Sequence, residues 1–142
     1  MNDIRPEIVA FLGLTPLMIA CNALCELMGI KLKRAYEAVS PDDGRRILVE
    51  RLWPRGVTKE KAALADWAKD IAPSPELRKW YDHDPAKWPE FQKRYRKELN
   101  ANMEAVEALK AQCDAGPVTF IFAAKDAERN SATVLKAYLD AL

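Results

Sequence analysis

The sequence predicts one α/β domain with a small, largely parallel sheet flanked by helices. Two observations carry the prediction. Runs of strand length recur at 30–34, 47–52 and 118–122, the last two mostly apolar and partly β-branched. Between and after them, apolar residues fall at spacings of three and four, the period of a helix with one buried face. Strands interleaved with helices in this way pair in parallel, since each crossover returns the chain to the same end of the sheet.

Ile30–Arg34 is the first strand, and Ser40-Pro41-Asp42-Asp43-Gly44 has turn chemistry throughout. Ile47–Leu52 is the second strand, running abruptly into Arg51, Trp53, Pro54, Arg55 and Gly56. A helix is expected from about Lys59 to Lys69, with Leu64, Trp67, Ala68 and Ile71 on one side. Ser74-Pro75 and Asp84-Pro85 each set a capping side chain before a proline, which marks a helix start. The first of these helices is short. The second is expected to run from Pro85 to about Lys110 behind a stripe of Trp88, Phe91, Tyr95, Leu99, Met103, Val106 and Leu109. Gly116-Pro117 stops it. Val118–Phe122 is the third and clearest strand, followed by Ala123-Ala124-Lys125-Asp126 and a last helix with Val134, Leu135, Tyr138, Leu139 and Leu142 on one face.

The chain has 142 residues, 49% hydrophobic and 30% charged, with a net charge of +1. That length suits one domain. A near-neutral charge argues against nucleic acid as a partner held by a broad electrostatic footprint. Cys21, Cys25 and Cys113 form neither a disulfide framework nor a CxxC, so reduced thiols and a cytoplasmic location are the expectation. Ile8–Cys25 is strongly apolar. The Met1–Glu7 leader lacks a positive n-region and no clear cleavage site follows, while Pro16 and Asn22 interrupt the run and Glu7 and Glu26 flank it. The expectation is no membrane span but an extension over 1–29 that packs on the domain or a partner chain, or that stems from an upstream start codon. The domain then occupies 30–142.

In parallel sheets ligands bind beyond the carboxyl ends of the strands. Two polar clusters are predicted there, Arg51–Gly56 and Lys125–Ser131. Arg51 and Arg55 are anion candidates because planar, permanently charged guanidinium forks match carboxylate and phosphate. The alternative for Arg51 is an ion pair with Glu50 or Asp126 that orders the turn. Trp53 either stacks on a ligand ring or joins the core. Lys125 adds charge, or acts as base or nucleophile when desolvated. Asp126 is a general base or a helix cap. Asn130 and Ser131 open the last helix, whose first N–H groups can receive an anion. His83, between Asp82 and Asp84, is the sole imidazole for acid–base work near neutral pH. Asp82 can orient it, and Asp84 reads as the cap before Pro85. The basic run Lys93–Lys97 reads as a solvated face around Tyr95. No P-loop or GxGxxG fingerprint, Ser-His-Asp set or Cys-His set assembles, and Cys113 reads as a structural helix residue.

With Val49-Glu50-Arg51-Leu52-Trp53-Pro54-Arg55-Gly56, Trp80-Tyr81-Asp82-His83-Asp84-Pro85, Gly116-Pro117-Val118-Thr119 and Ala123-Ala124-Lys125-Asp126 laid side by side, the chain resembles the DUF488 family in its YeaO-like branch. Lys33-Arg34, Ser40–Gly44, Pro73–Lys79, Phe91, Tyr95, Leu99 and Asn130 with Val134-Leu135 extend the match from about residue 30 to the end. The resemblance implies an α/β fold and no settled activity. That branch usually carries Asn-His-Ala after the third strand, often as His-Asn-His-Ala, with a histidine in the segment matching Trp80–Pro85; such a set implies a metal site, iron or a similar ion. Here Arg129-Asn130-Ser131-Ala132 stands in its place and His83 is left alone.

The leading expectation is therefore a protein that binds, and can act on, a small anionic, phosphorylated or nucleotide-like molecule. Arg51, Arg55 and Lys125 hold the anion, with Trp53, Gly56, Asn130 and Ser131 completing the walls and His83, Lys125 and Asp126 as candidate catalytic groups. Arg51, His83 and Lys125 are expected to share one cavity. The alternatives are a degenerate iron-type metal site and a non-catalytic interaction module. Cofactor and oligomeric state stay unassigned.

Overall fold

The computed structural model describes residues 29–142 of the chain. The Ile8–Cys25 run and all of the 1–29 extension but Gly29 lie outside the described residues. Four strands form one all-parallel sheet in the order β1-β4-β2-β3: β1 Ile30–Arg34, β2 Arg45–Leu48, β3 Asp66–Trp67 and β4 Val118–Phe122. Among the described residues five α-helices follow in chain order: α1 Lys59–Ala62, α2 Pro75–Tyr81, α3 Trp88–Asn100, α4 Met103–Asp114 and α5 Ser131–Asp140. The architecture is the predicted α/β domain. Among the described residues, no helix is long and apolar enough to cross a membrane.

β4 is central and every one of its residues is buried. Because strand side chains alternate faces, Ile47, Val49, Phe120 and Phe122 enter the large core against α2–α5. Leu48 and Ile121 point the other way, into a small cluster with Ala35, Val57 and Ala62, edged by Trp53, Leu64 and Trp67. The stripe read from the sequence supplies the large core through Phe91, Tyr95, Leu99, Val106 and Leu109. Met103 and Leu142, expected on buried faces, are exposed instead.

Three element boundaries differ from the sequence reading. The second strand ends at Leu48 rather than Leu52, although Val49 N–H still donates to Ile121 at 3.1 Å. The helix expected over Lys59–Lys69 is one turn, capped by Thr58 and ended by Ala63 in the left-handed region at φ 48°. The chain then pairs Asp66–Trp67 with Ile47–Leu48, because Leu64 and Trp67 are needed on the small cluster. Trp67 fixes that position by donating its indole N–H to the Glu50 carbonyl at 2.7 Å. The long helix is broken at Asn102, whose φ of −128° and ψ of 48° are not helical. Asparagine side chains compete for local partners and are poor helix formers; here Asn102 donates to the Asp70 carbonyl and Asn100 accepts from the Tyr138 hydroxyl.

The Ser40–Arg46 corner anchors the start of β2. Asp43 is buried and its carboxylate accepts from Arg46 at 2.6 Å, from Lys33 at 3.0 Å and from the Ser40 N–H at 3.0 Å. Arg46 is buried too, and also donates to the Ala62 carbonyl at 2.8 Å. Its remaining Nη2 has no partner among the described residues.

Candidate functional site

A cleft of about 570 Å³ opens beyond the carboxyl ends of β2 and β4. Its floor is set by Glu50, two residues past β2, and by Ala123 and Ala124, directly past β4. Its walls come from the Leu52–Arg55 turn, from Arg78 to His83 at the end of α2, and from Arg129, Asn130 and Ser131 at the start of α5. Tyr36 stands at one side, where it ties two turns together by donating its hydroxyl to the Arg55 carbonyl at 3.1 Å. Arg34 braces the same corner by donating to the Ala124 carbonyl at 3.0 Å while lying over the Tyr36 ring at 5.1 Å. The buried Tyr81 stacks on Phe91 at 4.4 Å and donates to the Arg129 carbonyl at 3.5 Å, joining α2 to the α5 entry.

The charge of this cleft is lopsided. Arg55, Arg78, Lys79 and Arg129 line it against Glu50 and Asp82. Among the described residues the side chains of Arg55, Arg78 and Lys79 pair with no carboxylate within 4 Å; Arg129 alone pairs, with Asp126 at 3.1 Å. Asp82 and His83 both sit in the left-handed region, at φ 47° and 55°. Two successive non-glycine residues there store backbone strain, a feature common at ligand-facing turns. Ser131 is the first residue of α5, whose N-terminus Asn130 caps by accepting from Thr133 N–H at 3.0 Å; the positive end of that helix adds to the cleft.

Of the residues read from the sequence, Trp53, Arg55, His83, Asn130 and Ser131 line this cleft. Trp53 is committed to the protein, donating its N–H to the Val57 carbonyl at 2.6 Å and meeting Trp67 edge-on at 5.4 Å. Arg51 does not share the cavity. Its guanidinium donates to the carbonyls of Ala72 at 3.1 Å and Pro73 at 3.3 Å, beside a separate 140 Å³ hollow, and it pairs with neither Glu50 nor Asp126. Polar groups lining that hollow satisfy one another or nearby backbone, as with Ser74 on Glu98 at 2.6 Å and Tyr95 on the Ile71 carbonyl at 2.6 Å. Lys125 is exposed and outside the cleft lining, as is Gly56, a turn residue at φ 79°. The expectation that Arg51, His83 and Lys125 meet in one cavity is therefore corrected: only His83 is there.

Asp126 accepts from the N–H groups of Glu128 and Arg129 at 2.9 and 3.0 Å and from the Arg129 side chain at 3.1 Å. Those N–H bonds and the adjacent guanidinium hold its carboxyl below the ordinary carboxylate range. These bonds order the loop before α5, and the cap of α5 is Asn130 rather than Asp126. Burial pushes the Cys113 thiol up to about 11, which agrees with a structural residue. Among the described residues, no group of three or more His, Cys, Asp or Glu side chains is placed to hold a metal ion.

Sequence reading missed Glu50, Arg78 and Lys79 as site residues. Glu50 hid inside an apolar run, and Arg78 and Lys79 entered only as part of the Pro73–Lys79 stretch of the family match. Their signal is positional, since each lies within a few residues of where an element ends.

The role of Arg51 is testable through stability alone. Arg51→Ala should lower unfolding free energy by about 1–3 kcal/mol, since it strips charged donors from two buried carbonyls. Arg55→Ala, at an exposed side chain, should stay within about 0.5 kcal/mol of the native protein. Denaturant titration of both variants checks this, and an Arg51→Ala protein as stable as the native one would refute the structural role.

Residues 29–142 match the family described as the inactive DUF488-N3 subclade. An uncharacterized protein of Mycobacterium tuberculosis strain H37Rv is 40% identical over 111 residues, covering 78% of this chain and 93% of that relative. The uncharacterized protein YeaO of Escherichia coli K12 is 38% identical over 115 residues, covering 81% of this chain and all of the relative. No solved structure matches the chain. On the extent of both matches, the chain belongs to the DUF488 family, within the subclade described as inactive.

Proposed function

We propose that this protein binds a small phosphorylated or otherwise anionic molecule in the cleft beyond β2 and β4, and holds it without turning it over. One observation carries the reading: Arg55, Arg78 and Lys79, from two separate segments, ring one cleft without a carboxylate partner among the described residues. Unpaired guanidiniums around a concavity are suited to bidentate recognition of phosphate or carboxylate. The α5 N-terminus, with Asn130 and Ser131 on the wall, favours the same charge. Binding without turnover fits the subclade's description as inactive. It also fits a cleft whose lining includes neither Lys125 nor Asp126, two of the three candidate catalytic groups.

Calorimetric titration with inorganic phosphate and with a simple alkyl phosphate tests the proposal. Arg55→Ala should weaken binding about tenfold, and the Arg55→Ala/Arg78→Ala protein about a hundredfold, each arginine supplying a charge-assisted bond. Unchanged affinity in the double variant would overturn the assignment.

A further inference from the structure

We infer that Glu50 makes this cleft selective for phosphate esters that carry neutral hydroxyl donors, such as a sugar phosphate or the ribose of a nucleotide. The inference rests on the anion-binding reading above and adds a second recognition element to it. Glu50 lies on the cleft floor between the ends of β2 and β4. Its Oε2 accepts from the Ala123 N–H at 3.2 Å, which fixes the side chain in place. That is its only bonded donor among the described residues, although a carboxylate offers about four acceptor positions. No cation pairs with it within 4 Å among the described residues.

Burial disfavours the charged form of Glu50 and so raises its pKa, and the Ala123 N–H, Arg78 and His83 only partly offset that. Acceptors held at such expense beside a concave site are suited to a donor on a ligand. The donor's charge follows from the surroundings. Arg55, Arg78, Lys79 and Arg129 line the same cleft and repel an ammonium group, whereas a hydroxyl meets no such penalty. Adjacent hydroxyls on a ribose or similar polyol can engage the free Oε1 while the phosphate sits on the arginines. A cavity of about 570 Å³ has room for both parts.

The test compares three probes on the intact protein by calorimetry: inorganic phosphate, ribose 5-phosphate and pentyl phosphate, which has similar charge and length but no hydroxyls. Ribose 5-phosphate should bind about tenfold tighter than pentyl phosphate. In Glu50→Gln, which keeps an oxygen for the Ala123 N–H, that preference should fall to about threefold or less while phosphate affinity is retained. Adenosine 5′-monophosphate distinguishes the source. Tighter binding than ribose 5-phosphate identifies a nucleotide, equal binding identifies a sugar phosphate, and either upholds the role of Glu50. Equal affinity for ribose 5-phosphate and pentyl phosphate in the native protein would overturn the inference and leave anion binding intact. So would a preference that survives unchanged in Glu50→Gln. Failure of the native protein to bind any probe would overturn both readings.

Discussion

Asp43→Ala should destabilise the domain by about 3–5 kcal/mol, because it leaves the buried Arg46 guanidinium without its counter-charge. Arg46 already has one nitrogen, Nη2, without a partner among the described residues. Removing the 2.6 Å bond at Nη1 leaves, among the described residues, only the Ala62 carbonyl on that side chain. Lys33 and the Ser40 N–H lose their acceptor as well, so the turn before β2 loosens together with the pair. A double variant, Asp43→Ala/Arg46→Met, should recover much of the loss, since an apolar pair of similar volume removes the stranded charge. Urea unfolding of the two single variants and the double variant measures the coupling. Losses that simply add would mean that the pair does not act as a unit.

The same site sets an acid limb. Burial alone raises the Asp43 pKa, but the Ser40 N–H, Lys33 and Arg46 outweigh it and leave the carboxyl below its ordinary 3.8. A carboxylate depressed in the folded state contributes stability that is fully present above its unfolded pKa and is lost as pH falls through the folded one. The gap between the native protein and Asp43→Ala should therefore be constant near neutrality and shrink below pH 3.8.

How much of this was legible in the sequence depends on how local the cause is. β1 and β4 were readable to the residue, because Ile30–Arg34 and Val118–Phe122 are bounded by abrupt changes in composition or by turn residues. The caps at Ser74 and Asp84 were readable because capping is a short-range bond, and each side chain accepts from an N–H two or three residues ahead; at the last helix the cap is Asn130 rather than Asp126. β3 was not readable. Two residues cannot display a period, and Asp66–Trp67 becomes a strand only because β2 lies alongside. The break at Asn102 was hidden because the helical phase is nearly continuous across it, so Leu99, Val106 and Leu109 still reach the same core.

A cleft does lie past the two strand ends that composition singled out, but composition did not show the direction of each side chain. Arg51 and Arg55 looked equivalent by composition. They diverge because the chain bends after Val49, sending Arg51 to the Ala72 and Pro73 carbonyls and Arg55 to the cleft. Arg78 and Lys79 join it through tertiary placement of α2, which no local pattern encodes.

The second large effect is expected at Gly44, the joint between the Asp43 turn and β2. Gly44 adopts φ 63° and ψ −137°, a conformation that side-chain-bearing residues scarcely populate. A Cβ there would lie 2.2 Å from the Pro117 carbonyl oxygen and 2.7 Å from its carbon. That oxygen is the acceptor for the Arg45 N–H at 3.0 Å, the bond that starts the pairing of β2 with β4. Backbone is all that can yield, so relief of the clash must push β2 away from β4 and disturb the Asp43–Arg46 pair beside it. Gly44→Ala should lose about 3 kcal/mol or more, combining backbone strain with a forced shift of packed strands. Gly56 provides the control. It has φ 79°, yet an added Cβ meets nothing within 4 Å. Gly56→Ala should therefore lose only the conformational part, about 1 kcal/mol. Denaturant midpoints of the two variants separate strain from contact. Equal losses would show that the close approach to Pro117 does not govern the stability of this corner.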